Sequence, residues 1–141
     1  MKNKLKIAAI QFDIKWELKQ ENFSIIEKYL DKISNTDIVL LPEMFTTGFT
    51  MKAKKFSENM DGETIQWMKL WSKKLDSAIG GSIIISEEAE IYNRFVFVTP
   101  EGEIFFYDKR HTFTLANENK YYTKGNNLGI FEYQGWRICL R

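Results

Sequence analysis

"DIVLLPE", residues 37–43, decides how the rest of the chain is read. Ile38, Val39, Leu40 and Leu41 form an unbroken aliphatic run, the pattern of a strand covered on both faces. Pro42 stops it, because proline has no ladder donor and restricts the residue before it. Glu43 therefore follows the carboxyl end of a buried strand, where α/β folds collect their functional groups.

Upstream, "LKIAAIQF" (residues 5–12) is a second compact apolar run, and a buried strand is expected over residues 4–12. Between the two runs, Phe23, Ile26, Leu30 and Ile33 fall at helical spacing among Glu, Lys, Gln and Asp. That is one apolar stripe on a solvated helix, expected to end near Asn35. Downstream, "DGETIQWMKLWSKKLDSA" (61–78) reads as a second helix, with Asp61 as N-cap and Met68, Trp71 and Leu75 along one side. "IGGSIIIS" (79–86), "NRFVFVTP" (93–100) and "EIFFYDK" (103–109) are β-branched or aromatic runs, and "PEGE" (100–103) is a hairpin turn between the last two. A polar loop over 111–128 leads to "GIFEYQGWRICLR" (129–141), a further hairpin turning at Gln134 and Gly135. Strand, helix, strand, helix and then several strands predict an α/β protein with a mixed sheet.

Composition narrows the function classes. The chain of 141 residues fits one domain, and 44% hydrophobic with 28% charged residues excludes a disordered or fibrous character. A formal net charge of +1 offers no basic field for a phosphate backbone, despite 15% aromatic residues, so nucleic acid is not expected as a partner. The single cysteine forms no internal disulfide, and with one histidine there is no Cys/His zinc cluster; a reducing, cytoplasmic setting is expected. The apolar run before Asp13 is too short for a signal peptide, and no stretch reaches membrane-spanning length.

Three residues carry the candidate chemistry. A carboxylate at the end of a buried strand, such as Glu43, suits a general base. Lys109 places a positive charge at the corresponding end of "EIFFYD", and Glu118 stands in the polar loop before "YYTKG". Taken singly, each reads as a surface residue. Jointly, "LLPEMFTTGF" (40–49), "YNRFVFVTPEG" (92–102), "YDKRHTF" (107–113) and the Glu118–Gly125 loop resemble the nitrilase, or carbon–nitrogen hydrolase, superfamily in order and rough spacing. "LLPEMFTTGF" and "YDKRH" are most similar to its ω-amidase branch, which hydrolyses the terminal amide of 2-oxoglutaramate and 2-oxosuccinamate.

The resemblance implies an α-β-β-α sandwich, present here as an incomplete N-terminal portion, and a dimer formed through helical faces. It implies a Glu-Lys-Cys site without metal or organic cofactor, acting on a small-molecule amide. Glu43 would be the general base, Lys109 the oxyanion partner, and Glu118 the glutamate that orients the lysine and substrate. Apart from the resemblance, the Arg110 fork suits a substrate carboxylate or an exposed salt bridge, His111 reads as structural or as lining the pocket, and Phe45, Thr46 and Met51 read as packing residues or as shaping substrate access. Asn93 in "YNRF" resembles the family's strand asparagine, with a structural role expected.

Cys139 is the remaining question. In the family the nucleophile ends a strand and is followed by an aromatic residue, an acid and "RFP" or a close variant; Cys139 is followed by Leu140 and Arg141. The resemblance places the nucleophile just beyond Arg141; Cys139 itself reads as a small buried apolar residue, as free cysteine usually is, with the role of nucleophile as the alternative. The 141 residues are then expected to be a single hydrolase domain cut within a strand and inactive alone. Two alternatives stay open: a non-catalytic binding module on a truncated hydrolase fold, and another member of the superfamily such as a nitrilase or carbamoyl-amide hydrolase.

Overall fold

In the computed structural model, which describes residues 3–141, the run at 37–43 forms β2 (Ile38–Leu40), the second strand of a five-stranded sheet ordered β1-β2-β3-β4-β5. β1 (Ile7–Ala9) and β2 are parallel, as are β2 and β3 (Ala78–Glu87). β4 (Glu90–Val98) and β5 (Ile104–Asp108) then continue antiparallel, so the sheet is mixed as expected. Val39 faces one side of this sheet and Ile38 and Leu40 the other, and both sides are covered. That is why β2 shows no polar alternation.

On one side lie α1 (Lys19–Leu30) and α3 (Glu63–Leu75). Phe23, Ile26 and Leu30 of α1 and Ile65, Met68 and Trp71 of α3 pack on Val39, Ile79, Ile83, Val96 and Val98. Ile26, Leu30, Ile65 and Met68 are fully enclosed, and each such side chain contributes on the order of 2 kcal/mol of apolar burial. Phe23 stacks on Trp67 at 4.7 Å, and the indole N–H groups of Trp67 and Trp71 both donate to Glu27.

On the other side sits a two-stranded sheet, β6 (Gly129–Tyr133) and β7 (Trp136–Leu140). Phe131, Tyr133, Ile138 and Leu140 meet Ile38, Ala78 and Phe97 across the interface, with Phe131 stacked on Phe105 at 4.4 Å. Gln134 and Gly135 make the expected tight turn with positive φ at both positions, the backbone a two-residue hairpin needs. Helices, sheet and second sheet succeed one another as the α-β-β portion of the expected sandwich.

Several boundaries differ from the sequence expectation. β1 pairs over only three residues at the sheet edge, and Ile7 is 56% exposed rather than buried. α1 stops at Leu30 instead of near Asn35; Lys32 and Ile33 donate to Tyr29 and Leu30 in tighter turns, and Asn35 adopts positive φ. Ile33 still packs on the core, which explains its place in the helical pattern. Asp61 does not cap α3. Gly62 holds the N-cap position, and the Glu58 carboxylate takes the Thr64 backbone N–H at 2.9 Å and the Thr64 hydroxyl. The 111–128 loop contains a 3-10 turn, Thr114–Ala116, and the short α4, Glu118–Tyr121. A four-residue α2, Ala53–Phe56, precedes α3.

Candidate active site

Glu43 leaves β2 through a strained turn. Met44 sits at φ 47, a left-handed conformation that costs a non-glycine residue about 1–3 kcal/mol. Its N–H donates to Ser82 Oγ at 2.8 Å, and its carbonyl accepts from Thr47 and Gly48. The Met44 side chain is enclosed with Ile84 and Tyr122, so packing holds the turn. The Tyr122 hydroxyl donates to Thr50 O at 2.5 Å, and burial first, then the Glu118 and Glu43 charges, push its phenol well above the ordinary range.

Lys109 follows β5 immediately. Its N–H donates to Asn93 O at 2.9 Å, and its carbonyl accepts the Gly125 N–H at 3.0 Å. A Cβ at Gly125 would stand 2.1 Å from Asp108 O, so only glycine lets the Glu118 loop lie this close to β5.

The three candidates meet above the ends of these strands. Lys109 Nζ lies 2.9 Å from Glu43 Oε1 and 3.1 Å from Glu118 Oε2, with the Phe49 ring 5.1 Å away. Burial by itself would lower the Lys109 pKa, but hydrogen bonds and charge from the two glutamates outweigh it, holding the ammonium above its ordinary range. The Glu118 side chain has no exposed surface, whereas Glu43 is 49% exposed and Lys109 27%. Glu118 also accepts the Phe113 N–H on Oε2 and the Asn93 amide on Oε1, at 3.1 Å. The same Asn93 nitrogen donates to Glu43 Oε1 at 2.8 Å. Glu43 Oε2 has no hydrogen bond among the described residues.

Glu43, Asn93 and Lys109 border a cleft of about 810 Å³ whose walls include Arg110, His111 and Cys139. No hydrogen bond or ion pair engages the Arg110 guanidinium among the described residues; only its backbone N–H is used, toward Tyr107 at 3.3 Å. His111 is exposed at the rim. Among the described residues no group of three or more His, Cys, Asp or Glu side chains is placed to hold a metal ion.

Two expectations need correction. Phe45 does not border the cleft: beyond the Met44 turn it enters the helix-side core, fully buried and tilted on Trp67 at 6.0 Å. Thr46 is buried as well, and Met51 packs with Met44 and Tyr122. Cys139 is exposed, not buried. Ile138 and Leu140 turn toward the large sheet, so strand alternation points Cys139 to the other face, beside its register partner Ile130.

Asn93 joins the cluster without having been singled out as functional. Its signal in the sequence is a polar amide inside an apolar strand, since buried amides are held by specific partners.

A profile described as "Carbon-nitrogen hydrolase" matches residues 6–140. The chain is 40% identical over 136 residues to "Omega-amidase YafV" of Yersinia enterocolitica, covering 95% of this chain and 52% of that protein. It is 32% identical over 136 residues to "2-oxoglutaramate amidase" of Bacillus subtilis, covering 94% of this chain and 52% of that protein. The chain thus spans about half the length of the relatives it matches. Among solved structures, XC1258 from Xanthomonas campestris, described as a CN-hydrolase superfamily protein with an arsenic adduct in the active site, superposes with a TM-score of 0.92 at 35% identity. That match covers 96% of this chain and 51% of the other. With a family profile spanning nearly all of its length and these relatives beside it, the chain belongs to the carbon–nitrogen hydrolase family.

Proposed function

We propose that the protein is an amidase of the ω-amidase type, hydrolysing the terminal amide of a 2-oxo dicarboxylic acid monoamide such as 2-oxoglutaramate. The observation that carries this reading is the convergence of Glu43, Lys109 and Glu118 into one hydrogen-bonded cluster beside a cleft. The names of the relatives in Yersinia and Bacillus support the substrate class.

An amide carbonyl is a poor electrophile, so the reaction needs a thiolate and a fixed cation for the oxygen that becomes charged. Glu43 takes the proton of a cysteine thiol, and the thiolate adds to the amide carbon. The Lys109 ammonium has three N–H bonds and spends two on Glu43 and Glu118, leaving the third for the oxyanion. The C–N bond breaks as Glu43 returns the proton to nitrogen, so ammonia leaves and a thioester remains. Water then gives a proton to Glu43 and attacks the thioester; the C–S bond breaks, the acid is released and the thiol is restored.

Glu118, without solvent contact, fixes the lysine. Arg110, on the cleft wall and without an ion-pair partner among the described residues, receives the distal carboxylate of the substrate, with His111 beside it. In this reading the 141 residues form part of one hydrolase domain. The nucleophile is a cysteine in the portion of the protein that corresponds to the rest of the relatives' length. A cytoplasmic homodimer goes with the same reading.

The test is ammonia release. The protein expressed at the full length of its open reading frame should liberate ammonia from 2-oxoglutaramate or 2-oxosuccinamate. No release from either, with release from simple nitriles or carbamoyl amides, would move the protein to another branch of the family.

A further inference from the structure

Among the described residues, Asn93 is the one that touches every charged member of the cluster. It stands on β4, 2% exposed, between the strand that delivers Glu43 and the loop that delivers Glu118. Its side-chain nitrogen carries two hydrogens, and the geometry uses both: 2.8 Å to Glu43 Oε1 and 3.1 Å to Glu118 Oε1. Its carbonyl accepts the Lys109 N–H at 2.9 Å, which fixes where the lysine leaves the sheet.

The electrostatics explain why such a group is needed. Glu43 and Glu118 bring two negative charges and Lys109 one positive, so the lysine alone leaves the cluster with excess negative charge. Two carboxylates in one partly desolvated site disfavour each other's ionised form. A neutral amide donating one hydrogen to each relieves that repulsion without adding a competing cation. It also selects an orientation: Asn93 and Lys109 both occupy Oε1 of Glu43, and Oε2 is left without a partner among the described residues.

We propose that Asn93 is a positioning residue for the hydrolysis, holding Oε1 of Glu43 so that Oε2 turns into the cleft as the oxygen that accepts and returns the proton. This rests on the amidase reading above and goes beyond a purely structural role for the asparagine. Asn93 itself touches no reacting atom. Its effect therefore falls on the proton-transfer step and leaves the binding of the substrate's distal carboxylate alone.

The experiment uses the full-length protein carrying Asn93→Asp, which keeps the shape but replaces both donors by a third carboxylate, and Asn93→Leu, which keeps the volume without polarity. A misplaced catalytic group commonly loses about 100-fold in rate. Both variants should lose about 100-fold in kcat on an ω-amide while KM stays within about threefold. If the Asp variant does not fold, the Leu variant carries the same test. Either folded variant with kcat within about threefold of wild type would overturn the proposal. A loss of kcat that only follows a fall in melting temperature, or that comes with a matching rise in KM, overturns it too. A wild-type protein that cleaves no ω-amide locates the failure in the amidase reading, and this inference falls with it.

Discussion

Lys109 Nζ lies 3.1 Å from Oε2 of Glu118, a carboxylate with no solvent-exposed surface. No local pattern in the chain suggests such burial, because Glu118 sits in a polar loop; it follows from the loop folding back through Gly125 onto β5. Removing Glu118 leaves the Phe113 N–H and one hydrogen of the Asn93 amide without an acceptor, about 1–3 kcal/mol for each buried donor, while Lys109 keeps Glu43 as a partner. Glu118→Ala should therefore reduce unfolding stability by about 3 kcal/mol in urea titrations. A change below about 1 kcal/mol, the level of an ordinary surface ion pair, would remove the pair from the determinants of the fold.

The same lysine gives the protein an alkaline boundary. Its folded-state pKa is raised above the ordinary 10.5 because the two glutamates outweigh desolvation, so the folded state binds its proton more tightly than the unfolded state. That stability is fully present below the unfolded value and is lost as pH rises through the folded one. Tyr122, raised mainly by burial from an ordinary 10.0, acts in the same direction. The urea midpoint should therefore begin to fall near pH 10 and keep falling above it. Lys109→Met should flatten part of that decline, and an identical slope in wild type and variant would contradict the assignment to Lys109.

How much of this was legible in the sequence depends on whether a local signal existed. β2 was readable because Ile38 to Leu41 is an unbroken aliphatic run. The β6–β7 turn was readable because Gln134–Gly135 interrupts two alternating strands. The β3–β4 turn had no such signal: Glu88 and Ala89 both adopt positive φ, although neither residue type favours it, and the long pairing of the two strands imposes that geometry. Glu43, Lys109 and Glu118 were each unremarkable alone, and resemblance to a family brought them together. Asn93 and the burial of Glu118 depend on contacts between segments far apart in the chain. Phe45 was misplaced because a left-handed Met44 reverses the direction of the chain, and no local pattern announces that turn.

Cys139 borders the cleft and is exposed, so exposure alone cannot separate a nucleophile from a bystander. Its hydrogen-bond neighbourhood does help. Among the described residues no base is bonded to its sulfur, whose contact is the Leu140 carbonyl at 3.9 Å, whereas a nucleophile needs a base within hydrogen-bond reach. Cys139→Ser in the full-length protein should therefore release ammonia at a rate within about twofold of wild type, as most exposed substitutions do. Complete loss of turnover in a normally folded variant would instead make Cys139 the nucleophile.

Arg110 offers the most direct reading of substrate class. An arginine whose guanidinium has no partner among the described residues, on the wall of a cleft that already holds a paired lysine, presents an unused fork for an anion. A charged hydrogen bond of this type contributes about 1.5–3 kcal/mol, which corresponds to about 10- to 100-fold in kcat/KM. Arg110→Met should lose that factor on an ω-amide bearing a distal carboxylate, chiefly through KM, because the carboxylate is held equally in ground and transition states. On a neutral amide of the same length, the variant and the wild type should differ by less than about threefold, since no anion is there to be received. An equal loss on both substrates would show that Arg110 supports the cleft wall without recognising the carboxylate.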